Sequence, residues 1–129
     1  MYTIDVMSRV PVYEQVVEQT ERFILTGILS PGDKIPSVRN LSVELSVNPN
    51  TIQKAVSELD RRGIVYSIPG KGCFVAEQAK AVLSESRRSE LTGIKKQLME
   101  LKLAGISRGE IIEVIDEIYK PEREGIGND

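Results

Sequence analysis

Residues 48–75 read NPNTIQKAVSELDRRGIVYSIPGKGCFV, and a change of period inside this stretch decides the fold. Asn48 is a good N-cap and Pro49 suits the first helical position, where a missing N–H is no loss. Ile52, Ala55, Val56 and Leu59 recur at i, i+3, i+4 and i+7, which predicts a helix to Arg62 that stops at Gly63. Beyond Gly63 the period falls to two. Residues 64–68 read as a strand, Pro69-Gly70-Lys71-Gly72 as a tight turn, and 73–75 as the returning strand.

Working toward the N-terminus, Ser37 is an N-cap for a short helix to Leu45 with Val38, Leu41 and Leu45 as its buried stripe. Ser46-Val47 connects that helix to the next. Before it lie the extended pair Lys34-Ile35 and the turn Ser30-Pro31-Gly32-Asp33. An earlier helix spans 11–26, with Tyr13, Val16, Val17, Thr20, Phe23 and Ile24 on one face and Gly27 as its cap. Helix, helix, helix, hairpin is the order of a winged helix-turn-helix.

Toward the C-terminus the pattern is helical again from Glu77. Leu91, Ile94, Leu98 and Leu101 step by 3, 4 and 3, a seam spacing, and Gly105 ends that helix. Ser107 and Glu110 match a capping box for a last helix striped by Ile111, Ile115 and Ile118, which Pro121 is expected to terminate, leaving a frayed tail. The predicted fold is mainly α with a small β-hairpin. A winged helix-turn-helix over 1–76 is followed by a two-helix dimerisation tail over 77–129.

Function is read from the face of the third helix opposite its core stripe. Asn50, Thr51, Gln53, Lys54 and Ser57 point outward there. In a helix-turn-helix the second helix of the pair presents its N-terminal residues to the major groove. Asn and Gln bond adenine bidentately, and Thr bonds a base edge or touches a thymine methyl. Asn48, Pro49, Asn50, Thr51, Gln53 and Lys54, with Arg39 on the preceding helix and Gly70-Lys71 at the hairpin tip, are the candidate DNA-binding residues. Asn48 is needed as a cap in any case, the glycines serve the hairpin, and Arg61 and Arg62 complement the dipole at their helix end.

Composition sets the outer bounds. The chain has 129 residues and a net charge of −2, yet residues 34–76 alone carry +3, a footprint suited to a phosphate backbone. There is no histidine, and one cysteine, Cys73, so the usual general base and the cysteine metal cluster are missing. These counts argue against an enzyme, a metal or a cofactor. No run approaches the roughly 18 apolar residues of a membrane span and the N-terminus lacks a signal h-region, so a cytoplasmic protein is expected.

The stretch from Gly27 to Val75, with PGDKIPSVRNLSVELSVNPNTIQKAVSELDRRGIVYSIPGKGCFV, resembles the DNA-binding domain of GntR-type bacterial transcription regulators. The resemblance implies DNA contacts at Arg39, at the start of the third helix (Asn48, Pro49, Asn50, Thr51, Gln53) and at the wing (Gly70, Lys71). Many members carry Arg where this chain has Pro49, so that contact is absent. VNPNT and the short tail are similar to the YtrA-type subfamily, whose members are typically dimeric repressors of ABC-transporter operons, often linked to cell-envelope or antibiotic stress.

The expected function is a homodimeric, sequence-specific DNA-binding repressor on a palindromic double-stranded operator. The alternative is a winged-helix protein-interaction module that does not read DNA; it would show apolar residues where Asn50, Thr51, Gln53 and Lys54 stand. The predicted dimer seam is Leu91, Ile94, Leu98, Leu101, Ile111, Ile115 and Ile118. A small-molecule effector of unknown identity would find little room within one helical pair, because a pocket needs roughly 300–1,000 Å³. A site between subunits, or between tail and winged domain, is expected instead.

Overall fold

The computed structural model describes residues 1–126, with side chains over 1–119. The elements are α1 (Val12–Leu25), α2 (Val38–Leu45), α3 (Pro49–Arg61), β1 (Val65–Ile68), β2 (Gly72–Val75), α4 (Ala79–Arg88), α5 (Glu90–Leu103) and α6 (Arg108–Ile126). They fall into two compact units, Met1–Arg87 and the chain from Arg88 onward.

The first unit is the winged helix-turn-helix. Its core takes Val16, Val17 and Ile24 from α1, Leu41 from α2, and Ile52, Ala55, Val56 and Leu59 from α3. Ile64, Val65 and Val75 close it from the hairpin. Each fully buried aliphatic side chain contributes about 1.5–3 kcal/mol relative to exposure, so the helical stripes fix how α1 and α2 sit against α3. β1 and β2 pair antiparallel with Tyr66 opposite Phe74 and Ser67 opposite Cys73. Lys34-Ile35 joins the wing: Lys34 bridges to Phe74, and the Ile35 N–H donates to the Cys73 carbonyl at 3.0 Å.

The N-terminal arm is strapped to α1 by two glutamines. Gln15 accepts from the Asp5 N–H at 2.8 Å and donates to the Asp5 and Val10 carbonyls, while Gln19 pairs with both backbone groups of Thr3. Between them Tyr2 is buried, its hydroxyl 2.8 Å from Thr20 Oγ1 and its ring edge-on to Phe23.

Two sequence expectations are corrected. The winged unit does not end at Ala76: α4 belongs to it, because Ala79 and Leu83 are buried in its core. Nor does Pro121 end the last helix, since α6 runs on to Ile126. A proline removes one backbone donor and forces a local adjustment, and here the helix continues past it. Of the predicted frayed tail, residues 127–129 lie outside the described residues.

Candidate nucleic-acid interface

The helix-turn-helix is set by a short, locked connection. α2 starts at Ser37, whose Oγ accepts from the Asn40 N–H at 3.0 Å. It ends at Ser46, a non-glycine residue in the left-handed region with φ 55°. That conformation is uncommon for a residue with a Cβ, so its surroundings must hold it. The Val47 N–H donates to the Ser42 carbonyl at 3.0 Å, and the buried Ser42 hydroxyl donates back to the Val47 carbonyl at 2.6 Å. Two bonds from one residue close the turn. Asn48 then caps α3, its Oδ1 accepting from the Asn50 N–H at 2.7 Å.

With the turn fixed, the first residues of α3 stand outward. Asn48, Pro49, Asn50, Gln53 and Lys54 are exposed and Thr51 is half-buried. Arg39 on α2 and Gly70 and Lys71 at the hairpin tip are also exposed. Gln53 donates to Ser57 Oγ one turn on, at 3.1 Å. Pro36, Ser37 and Val38, Gln53 and Val56, and Ile68, Gly70, Gly72 and Cys73 line one cleft. The start of α2, the face of α3 and the base of the wing therefore meet around a single groove.

Lys54 departs from this grouping. Its ammonium lies over the Tyr13 ring of α1, 4.1 Å from the centroid, rather than extending freely into solvent. Arg61 and Arg62 also do more than face the helix dipole. Both donate to Glu58, and Arg62 reaches Glu21 on α1 at 2.9 Å. These hydrogen bonds, Arg61's first and Arg62's second, hold the Glu58 carboxyl down at about 2.

The wing carries a cation that motif reading passed over. Lys34 packs its chain against Gly72, where an added Cβ would meet the Lys34 Cε at 2.7 Å and where φ is 124°. The lysine end could swing aside, so it is the positive φ that favours glycine here. Tyr13 and Lys34 were missed as site residues because their roles depend on neighbours distant in sequence, whereas Ser42 acts on nearby Val47 through a side-chain bond that carries no periodic signal. The helical period of α1 did place Tyr13 on its packed face, the one signal available for it.

The predicted seam residues lie in the second unit. On α5, Leu91 and Ile94 are 62% and 54% exposed, Leu98 is exposed and Leu101 half-buried. On α6, Ile111 is half-buried, with Ile115 and Ile118 exposed. Met99, Leu103, Ile112, Val114 and Tyr119 add to this apolar surface. The capping box between the helices forms as expected: Ser107 Oγ accepts from the Glu110 N–H, and Glu110 accepts from the Ser107 N–H, which lowers the Glu110 pKa.

A capped helix-turn-helix with a polar reading face beside a basic wing defines a class, the winged-helix regulators, and the match to known proteins is narrower. Residues 12–75 match the family of bacterial regulatory proteins described as gntR, and the chain belongs to that family. It is 41% identical to the HTH-type transcriptional repressor YtrA of Bacillus subtilis, over 100% of both chains, which supports the YtrA-type resemblance. Its fold matches the crystal structure of a transcriptional regulator from Oenococcus oeni with a TM-score of 0.72 and 30% identity, over 89% of this chain and 96% of that one. It also matches the DNA-binding domain of AraR, solved in complex with operator ORX1, with a TM-score of 0.53 and 35% identity over 57% of this chain and 94% of that one. Among the described residues no helix is long and apolar enough to cross a membrane.

Proposed function

We propose that the chain is a homodimeric, sequence-specific transcriptional repressor that binds a palindromic operator through α3 and the wing. The observation that carries this reading is the outer face of α3. Gln53 lines the wing cleft, Asn50 is exposed and Thr51 half-buried at the start of the same helix, and Lys54 is exposed with its ammonium over Tyr13, all groups that bond base edges or phosphates. A protein-docking face would be apolar there. The repressor name of the Bacillus subtilis relative and the operator-bound AraR domain support the same reading.

In this account Asn50, Thr51 and Gln53 read bases, with Asn48 and Pro49 setting the start of the helix. Arg39, Lys54 and Lys71 meet phosphates, and Gly70 lets the wing tip approach closely. The exposed Leu91, Ile94, Leu98, Ile115 and Ile118, with Leu101 and Ile111, supply the dimer surface. A two-fold pair would cover it and set the recognition helices about one DNA turn apart. The reading gives the protein no catalytic role, cofactor or metal and places it in the cytoplasm. Selection of bound fragments from random DNA tests it. An enriched inverted repeat with half-sites about 10 base pairs apart is expected, and no enrichment would overturn the proposal in favour of an interaction module.

A further inference from the structure

Lys54 continues the row that Asn50 begins on α3, since residues four apart on a helix are neighbours. It is exposed, and its ammonium rests over the ring of Tyr13, the second residue of α1, at 4.1 Å from the centroid. Tyr13 is half-buried and packed against the hydrophobic core, so the ring is a fixed seat rather than a mobile partner. Among the described residues no carboxylate pairs with Lys54. The kind of partner matters. A carboxylate would hold the chain but neutralise its charge and occupy its N–H donors. A ring face attracts the cation through its quadrupole and leaves both charge and donors available. A lysine free in solvent must give up many rotamers to meet a phosphate at a fixed place, and a seat removes that loss beforehand. Lys54 is thus an ordered cation one turn from Asn50, with its charge still open to an outside anion.

We propose that Tyr13 is a positioning residue for DNA binding: its ring pre-orders the Lys54 ammonium beside the outer face of α3, where a backbone phosphate accepts from it. The inference rests on the DNA-binding reading above and needs no dimer, because Tyr13, Lys54 and Asn50 all belong to the winged unit. Phosphate contacts fix the register of a protein on DNA and carry no sequence information, so the seat should act on all DNA alike.

The experiment measures full-chain binding isotherms over a series of salt concentrations on two duplexes, one carrying the selected inverted repeat and one of unrelated sequence. The proteins are the wild type, Tyr13→Phe, Tyr13→Leu, Lys54→Met and the double variant of the last two, each shown to be folded by circular dichroism. Lys54→Met should weaken binding to both duplexes and lower the steepness of the salt dependence by about one unit. Tyr13→Leu should weaken both by about three- to tenfold, while Tyr13→Phe, which keeps the ring, should bind as wild type. In the Lys54→Met background Tyr13→Leu should have no further effect. Losses that add in the double variant overturn the inference alone, as does wild-type binding by folded Lys54→Met or Tyr13→Leu. If Tyr13→Leu does not fold, the unmutated chain decides by NMR. The ring current should hold the Lys54 ε-methylene protons upfield of the other lysines in both the free and the DNA-bound protein. Their return to the ordinary position on binding would show that the lysine leaves its seat, and would overturn the inference. A wild type that binds neither duplex overturns the DNA-binding reading, and this inference with it.

Discussion

The Lys54 ammonium on the recognition helix is seated on the Tyr13 ring of α1, 4.1 Å from its centroid. A cation over an aromatic face at an exposed site contributes about 0.5–1 kcal/mol. Lys54→Met and Tyr13→Leu should each cost stability of that order beyond their packing change, and the double variant should cost less than their sum. A double-mutant cycle from urea unfolding measures this coupling. Additive losses would mean that the contact contributes nothing.

Glu58 should make stability fall in acid. Its folded pKa, at about 2, lies below the ordinary 4.5, because Arg61 and then Arg62 bond the charged form. A depressed folded value gives stability that is full above the unfolded pKa and is lost as pH falls toward the folded one. Glu58→Gln should therefore be less stable than wild type at pH 6, with the gap closing between pH 4.5 and 2. Urea midpoints across that range test it. A gap that does not change with pH contradicts the assignment.

Lys71 is exposed at the wing tip, where it can meet a phosphate. Lys71→Ala should weaken binding to all sequences alike and lower the steepness of the salt dependence by about one unit. An unchanged salt slope removes Lys71 from the phosphate contacts.

The tail should be where dimers break. Leu98 on α5 and Ile115 on α6 are 36% and 42% exposed, so replacing both with aspartate charges the proposed interface, at some cost to packing within the tail. The Leu98→Asp, Ile115→Asp variant should sediment as a monomer with its winged unit still folded. A dimer of unchanged stability contradicts the proposed seam.

How much of this was legible in the sequence follows from the range of each interaction. The caps at Ser37 and Asn48 and the stripe of α3 are local patterns, and they appear where the residues place them. The limit of the winged unit was misread because Ala79 and Leu83 look like part of a helical tail until the surface they cover is known. Pro121 was read as a stop by a local rule that a longer helix overrode. The arm around Tyr2 gave no periodic signal at all. It is held by Gln15 and Gln19, two residues of a kind usually assigned to solvent. For the candidate interface, the residue types on α3 were plain in sequence. The seating of Lys54 and the packing of Lys34 on Gly72 were not, since each depends on a partner brought close only by folding.

The central claim is that α3 reads bases. Gln53 is exposed and Thr51 half-buried at the edge of the Ile52, Val56 and Leu59 stripe, so Gln53→Ala should leave folding almost untouched and Thr51→Ala should cost only a little stability. Gln53 must release its 3.1 Å bond to Ser57 to reach an adenine. A bidentate contact there discriminates by about 1–3 kcal/mol. The most direct measurement is a set of binding isotherms on single-base operator variants at fixed salt, for the wild type and both alanine variants. Gln53→Ala should lose discrimination at one base position in each half-site while non-specific affinity hardly moves. Wild-type discrimination at every position in both variants would contradict the account and remove α3 as the reader.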